Sequence, residues 1–399
     1  MAACRLSLAL ALSLAALAAA EQTVLATDAA HVTALGRPYA GAAGLGLSWL
    51  GAGVRVAHSG GTLRATFAPA LRAFKLSLYQ SNAGAMHFEG ISWVAGSNAS
   101  ESVVVASGGG QVDIVLNTPP QYFESAAWNA TLVSLTTDGT FLPAPAPPAR
   151  RLHLLGDSIT ASTNIHGGTA SCADEGLEAD YSASWGGILC TFFGASCSTI
   201  AVGGKCMLDE CGGTQMQEYY QKARMVDAGS TFDFAASAPP DAFLIYLGSV
   251  ASCRAAFPRA PAPPPVLHPL PSFLIAPARA SSTNDARENN WQRFTTETLE
   301  FMGNVTQRYY AGANISFLLI LGPMQPTSPS AALQAAVAQG TAAGFRVSLV
   351  NASAACGAGL TGCTDGCATH PGVGSHRAIA KAVAPVLQAA MGWPSPGAL

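Results

Sequence analysis

Residues 142–149 read LPAPAPPA, four prolines in eight positions, and no sheet or regular helix can run through them. Each proline locks φ and removes the N–H that a ladder or helix bond needs, so the chain must divide here. The two parts carry different periodicities. Before the break, GVRVAHSGGTLRATF, LRAFKLSLYQS, ESVVVASGGGQVDIVLN and WNATLVSLTT alternate apolar and polar residues between Gly, Asn and Ser. Period-two runs separated by Gly-rich turns predict an all-β sandwich over 21–141, with 142–150 as a linker.

After the break, RLHLLGDS is an apolar run that ends in a turn, the mark of a buried parallel strand. CSTIAVGG, DAFLIYLG, ISFLLILGPM and RVSLVNAS repeat it, with helical stretches near 182–193, 290–310, 331–344 and 376–391. Strands alternating with helices predict a doubly wound α/β domain over 151–395, with its chemistry at the carboxyl ends of the strands. With 49% of its 399 residues hydrophobic, the chain can bury cores of this size. The formal net charge is −3 and no Lys/Arg cluster occurs, so a nucleic-acid or anionic-membrane partner has no electrostatic footprint.

Two segments stand outside these patterns. Residues 1–20 place Arg5 ahead of a Leu/Ala run that closes on small residues, the pattern of a signal peptide cleaved near Ala20. That run is shorter than a membrane span requires, and no other segment is apolar for long enough. Secretion is the expectation, and five N-x-S/T acceptors agree with it: Asn98, Asn129, Asn304, Asn314 and Asn351. Residues 249–282 are dense in Pro and lack periodicity, which reads as a surface insertion or a translated intron. Deleting them joins Leu247–Gly248 to Thr283–Asn284–Asp285 as LGTND.

Of the ten cysteines, Cys4 lies in the leader and Cys253 in the insertion. The remaining eight are Cys172, Cys190, Cys197, Cys206, Cys211, Cys356, Cys363 and Cys367. An even set in an oxidising compartment predicts up to four disulfides of open connectivity. Zinc is the rival reading for Cys363 and Cys367, but no matching CxxC or His pair accompanies them, so neither a metal nor a cofactor is expected.

Gly156–Thr160, GDSIT, presents Ser158 in a tight turn at the end of a buried strand. AVGGKCM follows a later strand, LG and TND flank the insertion, and CATHPGVGSH comes late in the chain. In this order the blocks resemble the SGNH/GDSL hydrolase superfamily, whose domain is a flavodoxin-like α/β/α sandwich. The resemblance implies Ser158 as nucleophile and His370 as its base. It implies an oxyanion hole from the N–H groups of Ser158 and Gly204, with Gly203 as a close rival to Gly204, and the side chain of Asn284. The superfamily's acid three residues before the His is here Cys367, and Ala368 is two before. Asp365 is the nearest carboxylate, to be read as the third catalytic member or as a turn cap. A Ser–His dyad supported by a backbone carbonyl is also workable. His376 is a second candidate base, or a structural residue at the start of the last helix.

The β-sandwich ahead of the hydrolase domain, GRPYAGAAGLGLSWLGAGVRVAHSGGTLRATF at 36–67, and the GC-x-x-HP block at 366–371 are similar to carbohydrate esterase family 2, whose first domain is a jelly roll. That similarity implies a secreted serine esterase that removes O-acetyl groups from polysaccharide such as xylan, with acetylated glycan or a small ester as partner. Two other readings stay open: a glycan-binding protein that has lost turnover, and a lipid esterase of the same superfamily. Trp185 and Tyr181 offer aromatic rings for a sugar to stack on, or are core. Asn164, His166 and Cys172 are candidate pocket residues after Ser158.

Overall fold

The computed structural model describes residues 21–82, 85–122, 124–125, 129–166, 178–208, 214–247, 291–323, 327–356, 365–367 and 370–399. The leader, the Pro-rich 249–282 segment, Asn284 and Cys172 lie outside them. Two compact units form. One ends at Ala149 and includes Gly194–Ser198; the other comprises Arg150–Phe193 and Thr199–Leu399.

Among its described residues the first unit holds eleven strands: β1 (Gln22–Leu25), β2 (Val32–Leu35), β3 (Tyr39–Gly41), β4 (Gly44–Leu47), β5 (Gly53–His58), β6 (Thr62–Phe67), β7 (Phe74–Asn82), β8 (Ala85–Val94), β9 (Glu101–Ser107), β10 (Gly110–Leu116) and β11 (Ala130–Thr137). One sheet runs β3-β4-β11-β6-β9 with β1 also on β11, and the other runs β2-β5-β10-β7-β8. Pairing is antiparallel throughout. Alternation decides which face each residue takes. Val54 and Val56 of β5 join Ile114 of β10, Leu63 and Phe67 of β6 and Leu132 of β11 in one apolar cluster shared by both sheets. Between the two valines Arg55 points the other way and grips Asp113, its register partner on β10, through Nε and Nη2 at 2.7 and 2.8 Å. The Pro-rich stretch is not a loose spacer. Leu142 N–H donates to the Ala57 carbonyl at 2.9 Å and Ala144 N–H to that of Ala30 at 2.8 Å, holding it along the first unit.

The second unit is built on β12 (Arg150–Gly156), the last three residues of β13 (Ala195–Ala201), β14 (Ala242–Tyr246), β15 (Ser316–Leu321) and β16 (Arg346–Asn351). Their spatial order is β13-β12-β14-β15-β16, which in chain order is 2-1-3-4-5. The β12–β14, β14–β15 and β15–β16 pairs are parallel. Every residue of β14 and β15 is buried, which explains why these strands read as unbroken apolar runs.

Among the described residues, the α-helices are α1 (Trp185–Phe193), α2 (Met216–Tyr220), α3 (Trp291–Gly303), α4 (Thr327–Ala342) and α5 (Val373–Met391). α3 continues into a π-helical turn, Asn304–Tyr309, so the single helix predicted near 290–310 is two segments of different pitch. α1 packs on α5, and α3 packs on α4. The five-residue α2 gave no periodic signal, being little longer than one turn.

In the first unit, the fully buried Phe74 ring meets Phe67 edge-to-face at 5.4 Å, joining the two sheets. Phe74→Ala is expected to destabilise that unit by about 3–5 kcal/mol. Denaturant unfolding followed by Trp49 fluorescence should show the lower midpoint.

Candidate active site

β12 alternates nothing: Leu152, Leu154 and Leu155 are all fully buried, and the strand ends at Gly156. A Cβ on Gly156 would stand 1.9 Å from Thr160 Oγ1 and 2.8 Å from the Tyr246 carbonyl oxygen of neighbouring β14, so only glycine fits. The chain then winds into a tight turn. Ala161 N–H donates to the Asp157 carbonyl and Thr163 N–H to that of Ser158, both at 2.9 Å. The buried Asp157 accepts Ile159 N–H on its carboxylate at 3.1 Å. Ser162 and Asn164 close the turn in left-handed backbone, φ 57° and 59°. This conformation is unfavourable for serine and tolerated by asparagine, and such residues cluster at functional sites.

The late His block is seated on this turn by backbone bonds. Cys367 N–H donates to the Asn164 carbonyl at 2.9 Å, and His370 N–H to that of Cys367 at 3.1 Å. A Cβ on Gly366 would lie 2.6 Å from the His370 carbonyl oxygen and 2.7 Å from that of Asn164, so glycine alone allows the close approach. The outcome is a contact between residues 212 positions apart: His370 Nε2 is 3.0 Å from Ser158 Oγ. With the hydroxyl donating to Nε2, the neutral imidazole carries its hydrogen on Nδ1. Asn164 Nδ2 is 3.5 Å from that Nδ1.

Asp365, the alternative third member, is occupied elsewhere. Its carboxylate accepts Gly372 N–H at 2.7 Å, Ser375 N–H at 3.1 Å and Ser375 Oγ at 2.6 Å. It caps the first turn of α5, whose own N-cap residue, Gly372, has no side chain to do so. Burial pushes its pKa up, but the bonds from the Ser375 hydroxyl and the Gly372 and Ser375 N–H groups outweigh this and hold it below the usual 3.8. The cap reading of Asp365 is the one observed. His376 is fully buried and accepts Trp185 N–H on Nδ1 at 3.1 Å, satisfying an orphan donor at the start of α1. Burial, the largest cause, pushes its pKa down to about 3, aided by His370 and opposed by Asp365 and Asp180.

Other expected site residues fare differently. Trp185 is fully buried with its ring against Tyr246 at 6.0 Å, and Tyr181 is buried with its hydroxyl 2.9 Å from Thr199 Oγ1. Neither ring is available for a sugar to stack on, which corrects the sugar-platform reading of both. Gly204 stands at φ 72° in a turn after β13, closed by Lys205 N–H donating to the Val202 carbonyl at 3.3 Å. Val202 N–H donates to the Gly156 carbonyl at 3.2 Å, which ties this turn to the end of β12. Half-exposed His166 pairs with the buried Asp180 at 2.9 Å. Asp180 also receives Ser182 Oγ at 2.6 Å, a role no spacing in the sequence signalled. Cys190, Cys197, Cys206 and Cys367 are disulfide-bonded, which removes Cys367 as a zinc ligand. Among the described residues, no group of three or more His, Cys, Asp or Glu is placed to hold a metal. None of their helices is long and apolar enough to cross a membrane.

No protein-family model matches the sequence, and no curated protein matches it. Solved structures do. An acetyl xylan esterase from the rumen bacterium Butyrivibrio proteoclasticus superposes with TM-score 0.69 at 17% identity, covering 94% of this chain and 99% of that one. A family two carbohydrate esterase from Cellvibrio japonicus gives 0.68 at 18% identity, with 94% and 99% covered. A family two carbohydrate esterase from Clostridium thermocellum, solved with cellohexaose, gives 0.65 at 18%, with 91% and 100% covered. This chain has their fold. The shared fold extends over nearly the whole chain, both units included.

The buried His376 makes stability pH-dependent with a definite sign. Its folded pKa is about 3 against an ordinary 6.5, so between those values the unfolded chain binds a proton that the folded chain refuses. Unfolding free energy is expected to fall as pH drops through this window, by at most about 1.4 kcal/mol per pH unit from this group. The Asp365 contribution is lost separately, below pH 3.8. Urea midpoints between pH 7 and pH 4 should show the slope, and His376→Gln should flatten it.

Proposed function

We propose that the protein is a carbohydrate esterase that removes O-acetyl groups from polysaccharide by a Ser–His mechanism. The observation that carries this reading is the 3.0 Å approach of His370 Nε2 to Ser158 Oγ at the carboxyl end of β12. A serine hydroxyl is a poor nucleophile until an imidazole in hydrogen-bond reach accepts its proton. Ser158 Oγ attacks the acetyl carbonyl carbon while His370 Nε2 takes the proton. The imidazolium then returns that proton to the departing sugar oxygen, leaving acetyl on Ser158. Water, deprotonated by the same imidazole, attacks the acetyl-enzyme; the imidazolium gives that proton to Ser158 Oγ as the acyl bond breaks, freeing acetic acid and the serine hydroxyl. The Ser158 and Gly204 N–H groups and the Asn284 side chain are assigned to the oxyanion that forms twice along this path.

The first unit is read as a jelly-roll β-sandwich and the second as a flavodoxin-like SGNH hydrolase domain, with 1–20 as a signal peptide. Disulfide-bonded cysteines support a secreted protein. Acetylated glycan is the proposed substrate, supported by the likeness to an acetyl xylan esterase and to an esterase solved with cellohexaose.

Purified protein is expected to release acetate from acetyl-xylan and from 4-nitrophenyl acetate. Ser158→Ala and His370→Ala should each lower kcat by about 10³-fold or more. Activity that survives Ser158→Ala would remove this nucleophile, and faster turnover of long acyl chains would point to lipid esters instead.

A further inference from the structure

His370 stands in a loop whose two ends are fastened to each other. Asp365 opens this loop, and Gly372, the N-cap residue of α5, ends it. Asp365 Oδ1 accepts Gly372 N–H at 2.7 Å, and Gly366 N–H donates to the His370 carbonyl at 3.2 Å. The ends can touch because position 372 carries no side chain. A Cβ there would stand 2.5 Å from the Asp365 carbonyl carbon and oxygen and 2.8 Å from its Cγ. The two carboxylate oxygens divide their partners. Oδ1 takes Gly372 N–H and, at 2.6 Å, the Ser375 hydroxyl, while Oδ2 takes Ser375 N–H at 3.1 Å. The bond from Ser375 N–H caps the helix. The bond from Gly372 N–H lies two residues from His370 and ties one end of its loop to the other.

We propose that Asp365 is a positioning residue for the base: by holding Gly372 N–H on Oδ1 it clasps the loop behind His370 and, through the backbone, keeps the imidazole at the Ser158 hydroxyl. The inference rests on the assignment of Ser158 and His370 as nucleophile and base. Two fastenings then set where the imidazole stands. Cys367 N–H ties the loop to the Asn164 carbonyl in the nucleophile turn, and the Asp365 carboxylate ties the far limb back to the near one. Pro371 lies between the base and the clasp, and its locked φ passes any shift of Gly372 on to His370. A displacement of about 1 Å at a catalytic group can cost on the order of a hundredfold in rate, so a clasp this near the base bears on turnover. A carboxylate suits the task because its bonds to N–H groups are charge-assisted.

Asp365→Ala and Asp365→Asn separate the clasp from the helix cap. Alanine removes both acceptors. Asparagine keeps Oδ1 for Gly372 N–H and the Ser375 hydroxyl but sets an NH2 group against Ser375 N–H, so it loses the cap bond alone. With 4-nitrophenyl acetate as substrate, Asp365→Ala is expected to lower kcat by about tenfold or more and leave KM unchanged. Asp365→Asn should keep kcat close to wild type, although its melting temperature falls with that of Asp365→Ala. Wild-type kcat in a folded Asp365→Ala overturns the proposal, and so does an Asp365→Asn that loses kcat equally. If Asp365→Ala does not fold, Gly372→Ala replaces it, because its Cβ forces the loop ends apart with the carboxylate still present. The same loss of kcat is expected there, and wild-type kcat overturns the proposal. If the chain turns over no ester, the reading of its function fails while this one stays testable. Hydrogen exchange at the Gly372 amide, followed by NMR of the full chain, should then be faster in Asp365→Ala than in wild type and Asp365→Asn, and equal rates overturn it.

Discussion

The site depends on one backbone contact, the bond from Cys367 N–H to the Asn164 carbonyl. It docks the loop carrying the imidazole onto the turn carrying the hydroxyl, and so supports the 3.0 Å approach of His370 to Ser158. Two glycines make the docking possible by the atoms they lack. Gly156 lets β12 end against the carbonyl of Tyr246, and Gly366 lets the His loop pass within reach of two carbonyls. A side chain at either point would separate the segments by more than the tolerance of a catalytic hydrogen bond.

Around this contact lies a set of polar groups whose work is structural. Asp365 caps α5, and His376, one turn further on, offers its Nδ1 to the first N–H of α1. The helices that pack on each other are thus also joined end to side by hydrogen bonds. Because His376 must stay neutral to accept, its burial converts acid into a destabilising agent.

The parallel sheet supplies the platform. In the order β13-β12-β14-β15-β16 the two strands first in the chain lie side by side, and their carboxyl ends release the Ser158 turn and the Gly204 turn next to each other. The Val202–Gly156 bond records that proximity. The winding reverses between β12 and β14, and such a switch point, beside the Ser158 turn, is where doubly wound sheets open a crevice.

Most of the architecture was legible in the sequence, because strands such as SFLLIL and AFLIY are apolar for their own local reason, burial on both faces. The positions of Ser158 in a turn after a buried strand and of His370 in a His-Pro pair before a helix were legible too, since both are short-range signals. The surroundings of Asp365 and Trp185 were not. A carboxylate five residues before a histidine suits a triad and a helix cap equally, and an aromatic at a helix start suits a sugar platform and a core equally. What separates such readings is which distant backbone each side chain meets. The sequence by itself determined where the chain turns and which residues carry reactive groups, because those follow from neighbours along the chain. Only the tertiary structure decided what touches the imidazole, because that contact joins positions 164 and 370 and exists only once both loops have closed on each other.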